Sequence, residues 1–449
     1  MTVDQPPVRS LPHRAARKSA EANRLDIADR AAHDWYRFVL SFPPHLVRGY
    51  LDQFGIRGDQ LVLDPFCGTG TTVVECKKAG VRSMGLEAHP LSHFAARTKV
   101  NWSPSPKKLL GVAETVAEEA TNILEREGVS DDLQGLLLRD GSPGTHALRT
   151  LPLETMDLLL ARSISPRPLN KVLVLLESIH RHASPSVLGH LRLALARELV
   201  TSIGNLHFGP EVGVGPPKED VAVIAPWLSR VRQMADDLRI LRPWAGVEAA
   251  ILRADSRQPG QILPAKSVDA VITSPPYPNE KDYTRTTRLE TVLLGFVTNK
   301  AQLQNLKRGM LLRSNTRNVY KADDDDRWVA GHPEVQRIAA AIEQRRIELG
   351  KTSGFERLYA KVTRLYFGGM ARHLAEIRPA LKSGAQLAYV VGDQASYLRI
   401  MIRTGQILAS IAEDLGFEVM GIDLFRTRLA TATREQLREE VVVLRWPGR

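Results

Sequence analysis

Residues 61–87 constrain the fold more than any other stretch. Leu61-Val62-Leu63 is an apolar run of strand length, and Asp64-Pro65-Phe66-Cys67-Gly68-Thr69-Gly70 follows with turn-forming residues. Residues 71–79 then read as a helix, and 82–86 read as a second strand ending at Glu87. Strand, glycine turn, helix, strand is the repeating unit of a parallel α/β sheet. Gly68 and Gly70 let a backbone come close to a ligand, and the helix start at Thr71 presents unpaired amides to an anionic group. Such a turn also serves as a plain strand-to-helix connection. Glu87, about 20 residues on, favours the ligand, because a carboxylate at the end of the next strand can accept hydrogen bonds from both ribose hydroxyls. No Gly-Lys-Ser/Thr closes the turn, so it is not a phosphate loop of the nucleotide-hydrolase kind.

The same rhythm returns late in the chain. Residues 249–253, 268–273 and 386–391 read as strands, with a long helical pattern over 355–381 before the last. Two further strand-like runs, 417–424 and 440–446, are joined by a basic connection and suit an antiparallel hairpin at one edge. Between about 101 and 244 amphipathic helical segments take over, among them 108–127, 170–182 and 187–203. These patterns predict a mostly parallel sheet with an antiparallel C-terminal hairpin and a helical insertion. The expected division is a flexible basic arm over 1–30, a catalytic domain over 31–100 and 250–449, and the insertion over 101–249. A helical pattern runs from 26 to 51, broken at Ser41-Phe42-Pro43-Pro44. A second interruption over 296–353 carries Lys300, Lys307, Arg308, Arg313, Arg317 and Lys321 ahead of the acidic run Asp323 to Asp326.

At 449 residues the chain exceeds what one hydrophobic core usually supports. No stretch approaches the roughly 18 to 20 unbroken apolar residues that cross a bilayer. The two cysteines, Cys67 and Cys76, are too few for a disulfide framework, and cytoplasm is the expected location. Lys and Arg number 61 against 50 Asp and Glu, a net charge of +11 that favours a polyanion such as DNA or RNA.

A second segment bears on chemistry. Asp269-Ala270-Val271-Ile272-Thr273 reads as a buried strand, and it ends in Ser274-Pro275-Pro276-Tyr277. Consecutive prolines stiffen the exit and leave carbonyl oxygens without local donors, so one can accept a hydrogen bond from a substrate amine. The Ser274 hydroxyl can accept a second, and the Tyr277 ring offers a face on which an extracted base could stack. An exocyclic amine conjugated to a ring is a poor nucleophile. Hydrogen bonds from its protons would localise its lone pair toward a methyl donor, giving direct transfer with no covalent enzyme intermediate. Methylation at cytosine C5 would need a thiolate in a Pro-Cys context, which neither Cys67 nor Cys76 has.

Together the two segments resemble motifs I and IV of the S-adenosylmethionine-dependent amino-methyltransferases of DNA, in the SPPY subgroup. The first motif matches at Asp64, Pro65, Phe66, Gly68 and Gly70, and the second at Ser274, Pro275, Pro276 and Tyr277. The resemblance covers roughly 30–100 and 250–449 and implies a Rossmann-like methyltransferase fold with S-adenosyl-L-methionine as cofactor. It implies that Asp64, Phe66, Gly68, Gly70 and Thr71 hold the cofactor, with Glu87 on the ribose, Asp255 at the adenine, and Phe42 and Pro43 from an upstream F-P-P element. Ser274 to Tyr277 would hold the target base. Serine at the first position is closer to the N4-cytosine enzymes than to the N6-adenine ones. Site-specific methylation of double-stranded DNA at cytosine N4 is therefore the expectation. The alternatives are N6-adenine methylation, an RNA amino-methyltransferase, and a silent nucleic-acid-binding subunit.

Lys281, Arg285 and Arg288, just past Tyr277, and Arg313 and Arg317 in the second interruption are the expected phosphate contacts. Either interruption could recognise the target. The resemblance also leaves room for a partner nuclease of restriction or phage defence, and for a homodimer. No metal is expected: Asp323 to Asp326 lack the spacing of a calcium loop and read as a solvated acidic loop, and His180, His182 and His190 have no partner at metal spacing.

Overall fold

The computed structural model describes residues 8–10, 25–37, 41–131, 147–208, 212–279, 282–310, 323–429 and 436–448. The described residues form the strands β1 (Val8–Ser10), β2 (Leu61–Asp64), β3 (Arg82–Leu86), β4 (Leu206–Phe208), β5 (Val212–Val214), β6 (Ala249–Leu252), β7 (Val268–Thr273), β8 (Leu381–Gly392), β9 (Glu418–Leu429) and β10 (Gln436–Arg445), of which all but β1, β4 and β5 fall on the apolar runs of the sequence. Eight of them make one sheet in the order β1-β9-β10-β8-β7-β2-β3-β6. From β8 to β6 all pairs are parallel, while β10 runs antiparallel to both β8 and β9. This is the expected mixed α/β architecture with its C-terminal hairpin.

Period-two alternation sets the two faces. Val62, Ala270, Ile272, Ala388 and Val390 pack with the helix Pro44–Gln53 on one side. Leu63, Val271, Leu387, Tyr389 and Val391 pack on the other with residues of the helices Pro333–Glu348, Tyr359–Ile377 and Thr404–Asp414.

The insertion is helical as expected, with Pro106–Arg126, Pro166–His182, Pro185–Glu198 and Ile224–Leu241. Three of these helices begin at a proline, which fits a first helical turn because the missing amide has no partner there in any case. Its core is not separate. Leu109, Val172, Leu191 and Trp227 belong to one apolar cluster with Val73 and Val74 of the helix Thr71–Lys78 and with Ala95 and Ala96 of Pro90–Lys99. The insertion thus packs as a second helical layer over the helices Thr71–Lys78 and Pro90–Lys99.

Three details depart from the sequence reading. Among the described residues before Pro44, the helical pattern over 26–51 yields the short turns Ile27–Asp29 and Arg30–His33, because Ala31 is extended and Ala32 sits at φ 64. Val8–Ser10, within the expected flexible arm, pairs in parallel with Ile422 to Leu424 of β9. The antiparallel pair β4–β5 had no clear strand signal, being only three residues a side and interrupted by Gly213. No helix among the described residues is long and apolar enough to cross a membrane.

Candidate active site at the carboxyl edge of the sheet

β2 and β7 are adjacent and parallel, with Val62 opposite Ala270 and Leu63 opposite Val271. From β2 the chain passes through the helix Thr71–Lys78 to β3 on one side, whereas β7 has β8 as its other neighbour. The strand order therefore reverses between β2 and β7, and ligands of open α/β sheets bind at the carboxyl ends of strands flanking such a reversal. Both motifs leave their strands there. Asp64 Oδ1 accepts from Thr273 Oγ1 at 2.6 Å and from the Phe66 amide at 3.2 Å, and Thr72 Oγ1 donates to the Ile272 carbonyl at 3.0 Å. Asp64 is fully buried, and its Oδ2 has no hydrogen-bond partner among the described residues. Burial raises its carboxyl to about 6 against the Thr273 hydrogen bond.

The glycine turn is shaped by close approach. Gly70 caps the helix Thr71–Lys78 in the left-handed region (φ 90), and a Cβ there would lie 3.1 Å from that of Ala96. Gly68 is also left-handed (φ 52), but a Cβ there would meet nothing nearer than the Phe66 carbonyl at 4.0 Å, so the turn has room for a guest on that side. Glu87 closes the other side: Oε2 accepts from the Gly68 amide and Oε1 from the His89 amide, both at 2.7 Å. Burial pushes its carboxyl up to about 7, opposed by these two amides. A carboxylate has about four acceptor positions, so Glu87 keeps acceptor capacity beyond these amides. Ser41 Oγ lies 3.3 Å from Thr69 Oγ1, bringing the upstream element against the turn; Pro43 is buried and Phe42 partly buried beside it. Thr71 is buried at the helix start.

Asp255 follows β6 and lines a cavity of about 510 Å³ together with Ala88, Pro90, Arg253, Phe296 and Asn305. Ala88, Pro90 and Arg253 come from the segments just past Glu87 and Leu252, and Phe296 and Asn305 from the second interruption. The size of the cavity, the Asp255 carboxylate and the apolar side chains of Phe296, Val297 and Leu306 suit an adenosyl group, and Glu87 lies one residue before Ala88 of its wall.

On the β7 side, Ser274 Oγ donates to the Val390 carbonyl at 3.1 Å. With its proton spent on Val390, the hydroxyl faces any further partner as an acceptor. The Tyr277 ring lies against Gly392 at the end of β8, where an added Cβ would be 2.8 Å from the ring. Ser274, Pro276 and Tyr277 are half-buried and Pro275 buried. Burial also raises the Tyr277 hydroxyl above its ordinary value, which keeps it neutral.

Sequence reasoning missed the support under Phe66. Its ring packs edge-on at 4.9 Å against His373, which lies 2.6 Å from the Ser256 carbonyl through Nδ1 and 2.7 Å from the Tyr389 hydroxyl through Nε2. Burial lowers His373 to about 4, so the ring is neutral. A carbonyl only accepts, so Nδ1 carries the proton and Nε2 accepts from Tyr389. A histidine at a core position of a long helix is the only trace of this in the sequence.

The expected phosphate contacts fare unevenly. Arg285 is exposed. Arg288 is not available: it is buried and donates to the Thr284 carbonyl, Thr284 Oγ1 and the Leu158 carbonyl, so it ties the insertion to the segment after Tyr277. Lys307, in the second interruption, pairs with Asp282 at 3.1 Å. Lys281, Arg313 and Arg317 lie outside the described residues. The acidic run is also not simply solvated, because Asp325 is buried between Arg257 and Arg372. Its two oxygens are each paired with an arginine, while Asp323 and Asp324 hold carboxylates within 4.8 Å of it. His190 is a core residue beside Trp35, and His182 pairs with Glu119.

A DNA methylase family model (N6_N4_Mtase) matches residues 14–94. The chain is similar over 95% of its length to the type II methyltransferase M.BsoBI of Geobacillus stearothermophilus, at 25% identity and covering 86% of that protein. It is 23% identical to M.AvaI of Nostoc sp. over 96% of its length and 88% of that protein. A shorter stretch, 22% of this chain and 19% of the other, is 29% identical to M.MjaII of Methanocaldococcus jannaschii. The crystal structure of TrmN from Thermus thermophilus overlaps 93% of this chain and 52% of its own, at 10% identity and a TM-score of 0.32. The fold assignment here stands on the strand order itself.

Proposed function

We propose, from the membership of this chain in the amino-methyltransferase family, which uses S-adenosyl-L-methionine, that it methylates double-stranded DNA at an exocyclic base amine, with N4 of cytosine as its target. One observation carries the reading: the glycine turn after β2 and the Ser-Pro-Pro-Tyr exit of β7 open side by side at one strand-order reversal, tied through Asp64 and Thr273. A donor and an acceptor held by these two turns would meet in one crevice. The bound cofactor supplies an electrophilic sulfonium methyl group.

This chain's residues would then do the following. Gly68 and Gly70 let the backbone pass close to the cofactor, Glu87 accepts from its ribose, and Asp255 accepts from its adenine amine. Ser274 and a proline carbonyl accept the two protons of the substrate amine, which directs its lone pair at the methyl group. Tyr277 stacks on a base rotated out of the duplex, a step that exposes an amine otherwise locked in pairing. Arg285 contacts a phosphate near the extruded nucleotide. The insertion 101–249 is the proposed recognition element, since its Leu158 and Thr155 bond to Arg288 and Thr298 just beyond the base site.

Serine at position 274 favours cytosine N4 over adenine N6. The test is incubation with labelled S-adenosylmethionine and either duplex DNA or RNA, followed by digestion to nucleosides and mass identification. N4-methylcytosine from DNA is expected. N6-methyladenine from DNA would overturn the target atom, and label confined to RNA would overturn the substrate.

A further inference from the structure

Arg257 is 5% exposed, and its guanidinium joins three pieces of chain that are far apart in sequence. Nε donates to Asp255 Oδ1 at 3.0 Å and Oδ2 at 3.1 Å, and Nη2 donates to Oδ2 at 2.5 Å. The Arg257 amide adds a further bond to Oδ1 at 3.0 Å. Nη2 also reaches the Arg308 carbonyl at 3.3 Å, at the end of the helix Lys300–Arg308, whose Gln302, Asn305 and Leu306 line the cavity opposite Asp255. Nη1 donates to Asp325 Oδ2 at 2.6 Å, and the other Asp325 oxygen accepts from Arg372 at 3.0 Å. Asp325 is seated in turn on Gly368, where a Cβ would fall 2.0 Å from the Asp325 carbonyl oxygen.

We propose that Arg257 is a positioning residue for the adenine end of the cofactor, holding the Asp255 carboxylate and the facing helix end at a fixed separation. The proposal rests on the reading of Asp255 as the adenine contact. A planar fork engages both oxygens of a carboxylate and fixes its plane, which a single point charge does not. Three N–H groups of Arg257 occupy Asp255, which leaves one of about four acceptor positions, and with 27% of the side chain exposed and the residue lining the cavity that position is available to a ring amine. The second interruption accordingly serves the cofactor through Arg308 and Asp325, rather than DNA alone.

The test compares binding of S-adenosylhomocysteine with that of S-inosylhomocysteine, which carries an oxygen in place of the adenine amine, by calorimetry on the full chain. The wild type should prefer the adenosyl ligand by about tenfold or more, the scale of a hydrogen bond to a charged group. Arg257→Met should reduce that preference to about threefold or less, because a freed carboxylate no longer aims at the amine. Asp325→Asn, remote from Asp255, should lower the preference by a smaller factor and serves as the readout if Arg257→Met does not fold. An unchanged preference in either folded variant, or equal loss for both ligands, overturns the proposal and indicates a purely structural arginine. A wild type that binds neither ligand would instead sink the cofactor reading itself.

Discussion

At the residue scale, the proposed cofactor site rests on groups whose charge the fold has made expensive. Asp64 and Glu87 have carboxyls raised by burial to about 6 and about 7, from ordinary values of 3.8 and 4.5. Between those limits the folded chain holds more protons than the unfolded one, so their contribution to stability is present at low pH and is lost as pH rises toward 7. Glu87→Gln should flatten that loss: denaturant unfolding at pH 5 and pH 8 should show the wild type losing on the order of 1 kcal/mol more than the variant. The variant should bind S-adenosylhomocysteine more weakly. Tyr277 belongs to the other half of the site. Base stacking on an aromatic ring contributes about 1–3 kcal/mol, so Tyr277→Ala should lower turnover by about tenfold to a hundredfold and reduce the fluorescence rise of an extruded base analogue. Cofactor affinity should stay nearly unchanged, and an equal loss there would mean the ring is misassigned. The two arginines past Tyr277 should separate cleanly. Arg285→Ala should weaken DNA binding and lower the salt slope by about one. Arg288→Ala should chiefly lower the unfolding midpoint, because that side chain holds the insertion through Leu158.

At the element scale, the decisive contact is between two neighbouring strands. Thr273 donates to a fully buried Asp64, so Thr273→Val leaves that carboxylate short of a partner. A cost of about 1–3 kcal/mol is expected, larger at pH 8 than at pH 5 because the unpartnered group is then ionised; urea unfolding at the two pH values measures it. The strands themselves were readable. β3 and β7 lie where alternation and flanking turns put them, and Glu87 and Ser274 fall directly after their ends. Short elements were not. β4 and β5 have three residues each, and the break at Ala32 is a backbone conformation that no side-chain pattern announces.

At the scale of the whole molecule, the helical insertion and the catalytic sheet share one apolar cluster, from Val73 and Ala96 to Leu191 and Trp227. Residues 101–249 therefore read as a separate unit in sequence, where amphipathic helices interrupt the strands, and as one layer of a common core in space. Removal of that segment should not leave a folded catalytic domain: the exposed faces of Thr71–Lys78 and Pro90–Lys99 would lose their apolar cover, and the product should aggregate or bind a hydrophobic dye. In the intact chain the two parts should unfold in one denaturant transition by both circular dichroism and tryptophan fluorescence.

What the sequence determined alone is the local chemistry: a glycine turn between strand and helix, an acid one strand later, and a proline-stiffened exit with a hydroxyl and a ring. Those are set by neighbours a few residues apart, where backbone restriction and periodicity act directly. Only the tertiary structure decided which charges were free to act. Arg288, Lys307 and Asp325 are ionic in the sequence and could each face solvent. Their partners, Leu158, Asp282 and Arg257, arrive from other elements, and pairing over such separations depends on packing that no local pattern encodes.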